Sequence, residues 1–261
     1  MKSEKIVKII KKFDEGDMSE KDAIKNLENA EPFDFYAATV ELYLEDKYMF
    51  NEDDFPLISN LFKGLYKNDF SKIINKLEEN HPIKRLMIEH TKFETLLEGL
   101  ELILKEKRKE KINNTEKTVK LDIIAEGLKH LDEHIQKEER LIYPVWNQIE
   151  GLDSQVSFLL EEEHRDILKS HLKLLDKLSE KKLEWKKEDW EELLHLSNDL
   201  IEEVRFHTFH EGEIFYPVLV DECSDKKFDY IKKKIDGWES KKTPLDDYIK
   251  HLSLPILNKE D

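Results

Sequence analysis

Cysteine is nearly absent from this chain: Cys223 is the only one in 261 residues, which excludes an internal disulfide and an all-thiolate metal site. Glycine and proline are also scarce, at seven each, so few points punctuate the long amphipathic runs and the class is all-α. No GxSxG, no phosphate-cradling glycine loop and no CxxC occurs, which removes the commonest nucleophile, nucleotide and thiol-redox chemistries. Positive charge is outnumbered, 43 Lys and Arg against 59 Asp and Glu, and the resulting net charge of -16 argues against nucleic acid or an anionic membrane as partner. The one basic run, Lys105 to Lys111, reads as a solvated helix end. No segment reaches the apolar length of a membrane span, and Met1-Lys-Ser-Glu-Lys carries no signal-like apolar core. With one cysteine, the expectation is a cytoplasmic protein of a reducing compartment.

What the chain does have is a twofold echo. Glu89-His90 is followed by His134, Glu138 and Tyr143-Pro144; Glu163-His164 is followed by His207, Glu211 and Tyr216-Pro217. The leading His stands 44 residues before the HxxxE pair in the first copy and 43 in the second, and each pair's Glu stands six before its Pro. Four imidazoles and two carboxylates recurring in one order form a metal-ligand inventory.

For these side chains to meet, residues at one height on consecutive antiparallel helices must lie equally far from the turn between them. The midpoints fall at Ile112 beside Asn113-Asn114, at Ile149 beside Gly151, and at Trp185-Lys186, all plausible turns. Facing agrees, because residues three or four apart share a helix side. The inward stripes are Leu86, His90, Phe93, Leu97, Leu100 and Leu104; Ile124, Leu128, Leu131, His134, Glu138, Leu141 and Val145; Leu160, His164, Ile167, His171, Leu174 and Leu178; and Leu193, Leu196, Leu200, Val204, His207, Glu211, Ile214 and Val218. The expected architecture is an up-down-up-down four-helix bundle with a small helical N-terminal domain.

Glu138 and Glu211 buried on such stripes need positive charge beside them, since an isolated buried carboxylate costs several kcal/mol or neutralises. Two metal ions supply it, with the carboxylates bridging and the imidazoles divided two per ion. The ligand types suit iron first, with manganese or zinc less so. A ferritin-like alternative takes Glu from two helices and Glu-x-x-His from two others. Only Glu161-Glu-Glu-His164 reads that way, and Met87 stands where the first copy needs its Glu. The Tyr-Pro pairs read as structural, Pro ending or kinking a helix and the Tyr ring capping the core.

The segments Glu89-His90, His134-Ile-Gln-Lys-Glu138-Glu139-Arg-Leu-Ile-Tyr143-Pro144, Glu163-His164 and His207-Thr-Phe-His-Glu211 through Tyr216-Pro217 together resemble the hemerythrin-like HHE cation-binding family over about His81 to Glu222. Residues 1 to 80, with Phe33-Asp-Phe-Tyr, Val40-Glu-Leu-Tyr-Leu and Phe55-Pro-Leu-Ile-Ser, look like the helical N-terminal domain of an uncharacterised prokaryotic branch of it. The resemblance implies a non-haem di-iron centre on His90, His134, Glu138, His164, His207 and Glu211 that binds or senses oxygen or nitric oxide. It also leaves open an iron donor for iron-sulfur cluster repair and a di-iron peroxide or nitric oxide reductase. Binding ranks above catalysis because no site for a redox partner is written in the sequence.

The remaining histidines divide. His171, opposite Leu97 in the repeat, sits seven residues and about 10 Å of helical rise beyond His164. It reads as a channel or core residue near the site. His81, before Pro82, reads as a helix cap or interdomain contact and, by resemblance, a reserve ligand. His130 and His210 align with Glu203 and Lys137 and read as outer or rim positions, while His195 and His251 have no identifiable partner. The expected organisation is residues 1-78 as the N-terminal domain, 79-223 as the di-metal bundle and 224-261 as a C-terminal helix and tail. Within the first, helices are expected at Ser3 to Phe13, Ser19 to Asn29, Phe33 to Glu45 and Asn51 to Leu77, with Phe33, Tyr36, Val40, Leu44, Phe55, Ile58, Phe62 and Leu65 as core.

Overall fold

A computed structural model describes residues 3–30, 32–45, 61, 74, 76–108, 114–149, 155–180, 186–238 and 243–252. Every regular element among them is helical, no strand occurs among the described residues, and no helix there is long and apolar enough to cross a membrane. The chain divides into two compact units, Met1–Glu78 with Thr208–Ser224, and Glu79–His207 with Asp225–Asp261.

In the first unit, α1 (Ser3–Asp14), α2 (Glu20–Leu27) and α3 (Pro32–Glu45) pack α1 on α2 and on α3. Helix α1 turns Ile6, Ile9 and Ile10 inward at helical spacing, against Leu27, Phe35, Ala38 and Leu42 of its neighbours. Ser19 caps α2, its hydroxyl accepting from the Asp22 N–H at 3.2 Å. The expected core residues Phe33, Tyr36, Val40, Leu44, Phe55, Ile58, Phe62 and Leu65, and nearly all of the helix expected at Asn51 to Leu77, lie outside the described side chains and residues.

The second unit is built on long helical runs. The first is α4 (Pro82–Arg108). The second is α5 (Asn114–Leu128), α6 (His130–Lys137), a π-helical segment π1 (Glu138–Ile142) and α7 (Tyr143–Trp146). The third is α8 (Gln155–Ser179), and the fourth starts with α9 (Lys187–Phe209) and continues through π2 (His210–Phe215) into α10 (Tyr216–Glu222), its part from Thr208 onward belonging to the first unit. Two shorter helices follow, α11 (Asp225–Asp236) and α12 (Leu245–Leu252).

Of the midpoints expected from the ligand spacing, Ile112 and Trp185 lie outside the described residues. Ile149 closes a turn, its N–H donating to the Trp146 carbonyl at 3.0 Å. Proline at the first position of α4 sacrifices no intrahelical bond, and His81 Nδ1 accepts from the Ile83 N–H at 3.3 Å, so His81 is a helix cap. Its ring packs on Phe228 of α11 with centroids 4.5 Å apart.

The apolar stripes close into one core containing Phe93, Leu97, Leu100 and Leu104 of α4, Ile124 and Leu128 of α5, Ile167, Leu174 and Leu178 of α8, and Leu193, Leu200 and Val204 of α9. Each such side chain removed from water contributes on the order of 1.5–3 kcal/mol. Gly127 permits the approach of α5 to α4: a Cβ there would stand 2.7 Å from Leu96 Cδ1.

Past the Glu of each HxxxE pair, the stripe departs from expectation by one residue. Leu141 is only half-buried where Ile142 is fully buried, and Val218 is half-buried where Leu219 is fully buried. The cause is a widened turn. The Tyr143 N–H bonds the Glu138 carbonyl and the Tyr216 N–H the Glu211 carbonyl, both five residues back, and the extra residue advances the buried face. Pro144 and Pro217 follow immediately; each lacks an N–H and would press its ring on the carbonyl four residues earlier in an ordinary turn. The prolines therefore neither end nor break these helices, which run on through them.

Candidate metal centre

Four helical runs of the second unit bring imidazoles to one level. His90 projects from α4, His134 from α6, His164 from α8 and His207 from α9, none more than 6% exposed. The ring centroids of His90 and His134 lie 4.7 Å apart, and those of His164 and His207 4.5 Å apart. Glu138, one turn after His134, is wholly buried among them. Its Oε1 lies 2.9 Å from His134 Nε2 and 3.5 Å from His90 Nε2, and its Oε2 lies 3.3 Å from His164 Nε2. Ligand-type atoms of His90, Glu138 and His207 fall within 4.8 Å of one another, and Glu211, one turn after His207 on the same uninterrupted helix, is the fourth member of that group. All four are buried. The chain thus contains a buried cluster of His and Glu residues able to bind a metal ion.

The outer nitrogens of three rings face carboxylates. His134 Nδ1 is 2.8 Å from Glu89 Oε2, His164 Nδ1 is 3.0 Å from Glu139 Oε1, and His207 Nδ1 is 2.9 Å from Glu163 Oε2. Glu89 is held in turn by Lys137, whose Nζ donates to its Oε1 at 2.8 Å. A cavity of about 320 Å³ opens on this pair, with His130, Glu133 and Asp246 also on its walls.

Electrostatics follow from this crowding. Burial opposes protonation of His134, but the carboxylates of Glu138 and Glu89 outweigh it and raise the imidazole to about 10. Burial likewise opposes ionisation of Glu89, which His134 and Lys137 nevertheless bring down to about 2. Glu138 is held well below the usual carboxylate range against its own burial, chiefly by His134, with His164 and His90 adding hydrogen bonds.

The donor set fits a cation. His164 Nε2 and His207 Nε2 face each other at 3.0 Å. With each Nδ1–H given to a carboxylate, two neutral rings present lone pairs to each other, an arrangement relieved by one proton or by a metal ion accepting both. His134 Nε2 lies 2.9 Å from the Glu138 carboxylate, to which the protonated ring donates.

Two tyrosines enter the site that the sequence reading set aside as structural. Tyr143, stacked on His164 with centroids 5.4 Å apart, places its hydroxyl 3.1 Å from His164 Nε2. Tyr216 donates to Glu211 Oε2 at 3.1 Å. Their signal was their recurrence five residues after the Glu in both copies.

Other histidines lie elsewhere. His171 is buried within the core side of α8 and is not in the ligand group. His130 Nε2 lies 2.9 Å from the Thr243 carbonyl. His195 is exposed beside Asp199 and His251 is exposed. His210, expected at a rim, is instead fully buried; π2 packs on α3, a neighbour that alignment of the two copies does not contain. Compared with known proteins, the chain matches no family model and no curated sequence.

Proposed function

We propose that this is a cytoplasmic, non-haem di-iron protein of the hemerythrin-like type, its long helices arranged as an up-down-up-down four-helix bundle, and that it binds or senses oxygen or nitric oxide. His90, His134, His164, His207, Glu138 and Glu211 would hold the ions, the two carboxylates as candidate bridging donors. Bound iron supplies coordination positions for a diatomic ligand and a change of oxidation state. The chain's own residues hold the donors at one level, neutralise the charge and exclude bulk water with a buried apolar core that includes Phe93, Leu97 and Ile167.

The observation that supports this reading most directly is the convergence of ligand atoms from His90, Glu138, His207 and Glu211 to within 4.8 Å in a buried interior. Mixed imidazole and carboxylate donors of this kind suit iron above magnesium or calcium, which prefer oxygen alone.

The test is metal analysis of anaerobically purified protein with optical spectra before and after oxygen and nitric oxide. About two irons per chain, with a visible spectrum that changes on gas addition and reverts on its removal, is the expected result. A chain that binds no metal, or a single zinc, overturns it. Glu138→Ala and Glu211→Ala should each bring iron content below about one per chain, by removal of a bridging donor; full occupancy in both variants would refute the bridging assignment.

A further inference from the structure

Glu89 precedes His90, Glu163 precedes His164 and Glu139 follows Glu138, so three metal-facing residues each have a carboxylate as chain neighbour. Consecutive residues on a helix point about 100° apart, so these carboxylates cannot share the cavity with their neighbours. Each turns instead to the next run: Glu89 of α4 to His134 of α6 at 2.8 Å, Glu139 of π1 to His164 of α8 at 3.0 Å, and Glu163 of α8 to His207 of α9 at 2.9 Å. All three contacts fall on Nδ1, the ring nitrogen opposite the Nε2 atoms that gather around Glu138 and one another.

We propose that Glu89, Glu139 and Glu163 are positioning residues of the metal centre, each taking the Nδ1–H of one imidazole and thereby fixing the ring and the tautomer in which Nε2 is the free donor. The proposal rests on the metal-binding reading above and adds to it a set of residues outside the ligands. An imidazole on a bare Cβ turns about two torsions and divides its proton between two nitrogens; a carboxylate on Nδ1 removes both freedoms and makes Nε2 more basic.

Recurrence separates this from incidental ion pairing. The Glu89–His134 and Glu163–His207 pairs are built alike in the two copies, from residues 45 and 44 apart. Surface pairs need no such repetition, and these rings are nearly inaccessible: the His134, His164 and His207 side chains are 3%, 0% and 4% exposed. The repeat is incomplete at one point, since Gly212 holds the place in the second copy that Glu139 holds in the first.

The test uses the full chain and cobalt(II) as probe, its affinity measured by competition with a chromophoric chelator and its visible spectrum as a signature of ligand geometry. Glu139 is the safest site, being 37% exposed, so that Glu139→Ala leaves no buried charge behind. Glu139→Ala and Glu163→Ala should each weaken cobalt binding roughly 10- to 100-fold and alter the bound spectrum. Glu163→Gln, whose amide oxygen still accepts from Nδ1–H, should recover most of the loss. Glu162→Ala, on the same helix but paired with Arg165, should bind as the parent does. Parental affinity and spectrum in both Glu139→Ala and Glu163→Ala would overturn the proposal while leaving the metal centre standing. Failure of the parent chain to bind cobalt(II), iron(II) or zinc(II) would overturn the metal centre itself, and the proposal with it.

Discussion

At the scale of the residue, a proton and a metal ion compete for the same nitrogen. In the metal-free protein His134 is raised from 6.5 to about 10 by Glu138 and Glu89 against its burial, so it is an imidazolium at neutral pH. A raised folded-state value means that this charge stabilises the fold fully below about 6.5 and that the contribution is lost as pH rises through about 10. Metal must displace the Nε2 proton while Nδ1–H stays with Glu89. Apparent affinity should therefore rise about tenfold per pH unit between roughly pH 7 and 9, with one proton released per His134 ligated. Calorimetric titration in buffers of different ionisation enthalpy reads that proton directly; an affinity flat across this window would show that His134 is not a ligand. Glu89, lowered to about 2, remains a carboxylate throughout it. The candidate ligand residues were legible in the sequence because type, order and spacing all repeat. The carboxylate partners and Tyr143 were present in the same motifs, but a hydrogen bond to the far side of a ring leaves no periodic trace, and its direction emerges only when neighbouring helices are placed.

At the scale of the element, the informative feature is the widened turn after each ligand Glu. Helical periodicity predicted the stripes of α4, α5, α6, α8 and α9 nearly residue by residue, because those segments keep 3.6 residues per turn. It failed at Leu141 and Val218 because an inserted π turn changes the count, and its only mark in the sequence is a proline that also admits a simple kink. The two registers predict opposite mutational sensitivities. Ile142→Ala removes a fully buried side chain and should cost about 2–5 kcal/mol, whereas Leu141→Ala should cost less than about 1 kcal/mol. Urea unfolding of the two variants decides between them, and equal costs would argue for an ordinary helical turn through π1. Conversely, Pro144→Ala restores an N–H that an ordinary turn can use. It should retain helical content by circular dichroism while shifting the bound-cobalt spectrum, since Glu138 begins the segment whose register would relax.

At the scale of the whole molecule, α1, α2 and α3 stand close to the bounds that amphipathic spacing gave them, while residues 46–60, 62–73 and 75 lie outside the described residues. The proposed metal centre has consequences at longer range. Its candidate donors are spread from His90 to Glu211, so an unfolded chain cannot gather them and a metal ion that they held would bind the folded state almost exclusively. Linkage then makes stability a function of free metal: at a concentration 100 times the dissociation constant the folded chain gains about 2.7 kcal/mol, and at 1,000 times about 4.1 kcal/mol. For a chain of this size each kcal/mol moves the melting temperature by about 2–4 °C, so stripping the metal should lower the melting temperature by about 5–15 °C and restoring it should reverse the loss. The gain should shrink in Glu139→Ala in proportion to its weaker affinity, because linkage reads affinity and nothing else. A melting temperature indifferent to chelator would mean that imidazolium and carboxylate already satisfy one another in the interior, and that the buried cluster is a charge network without a metal.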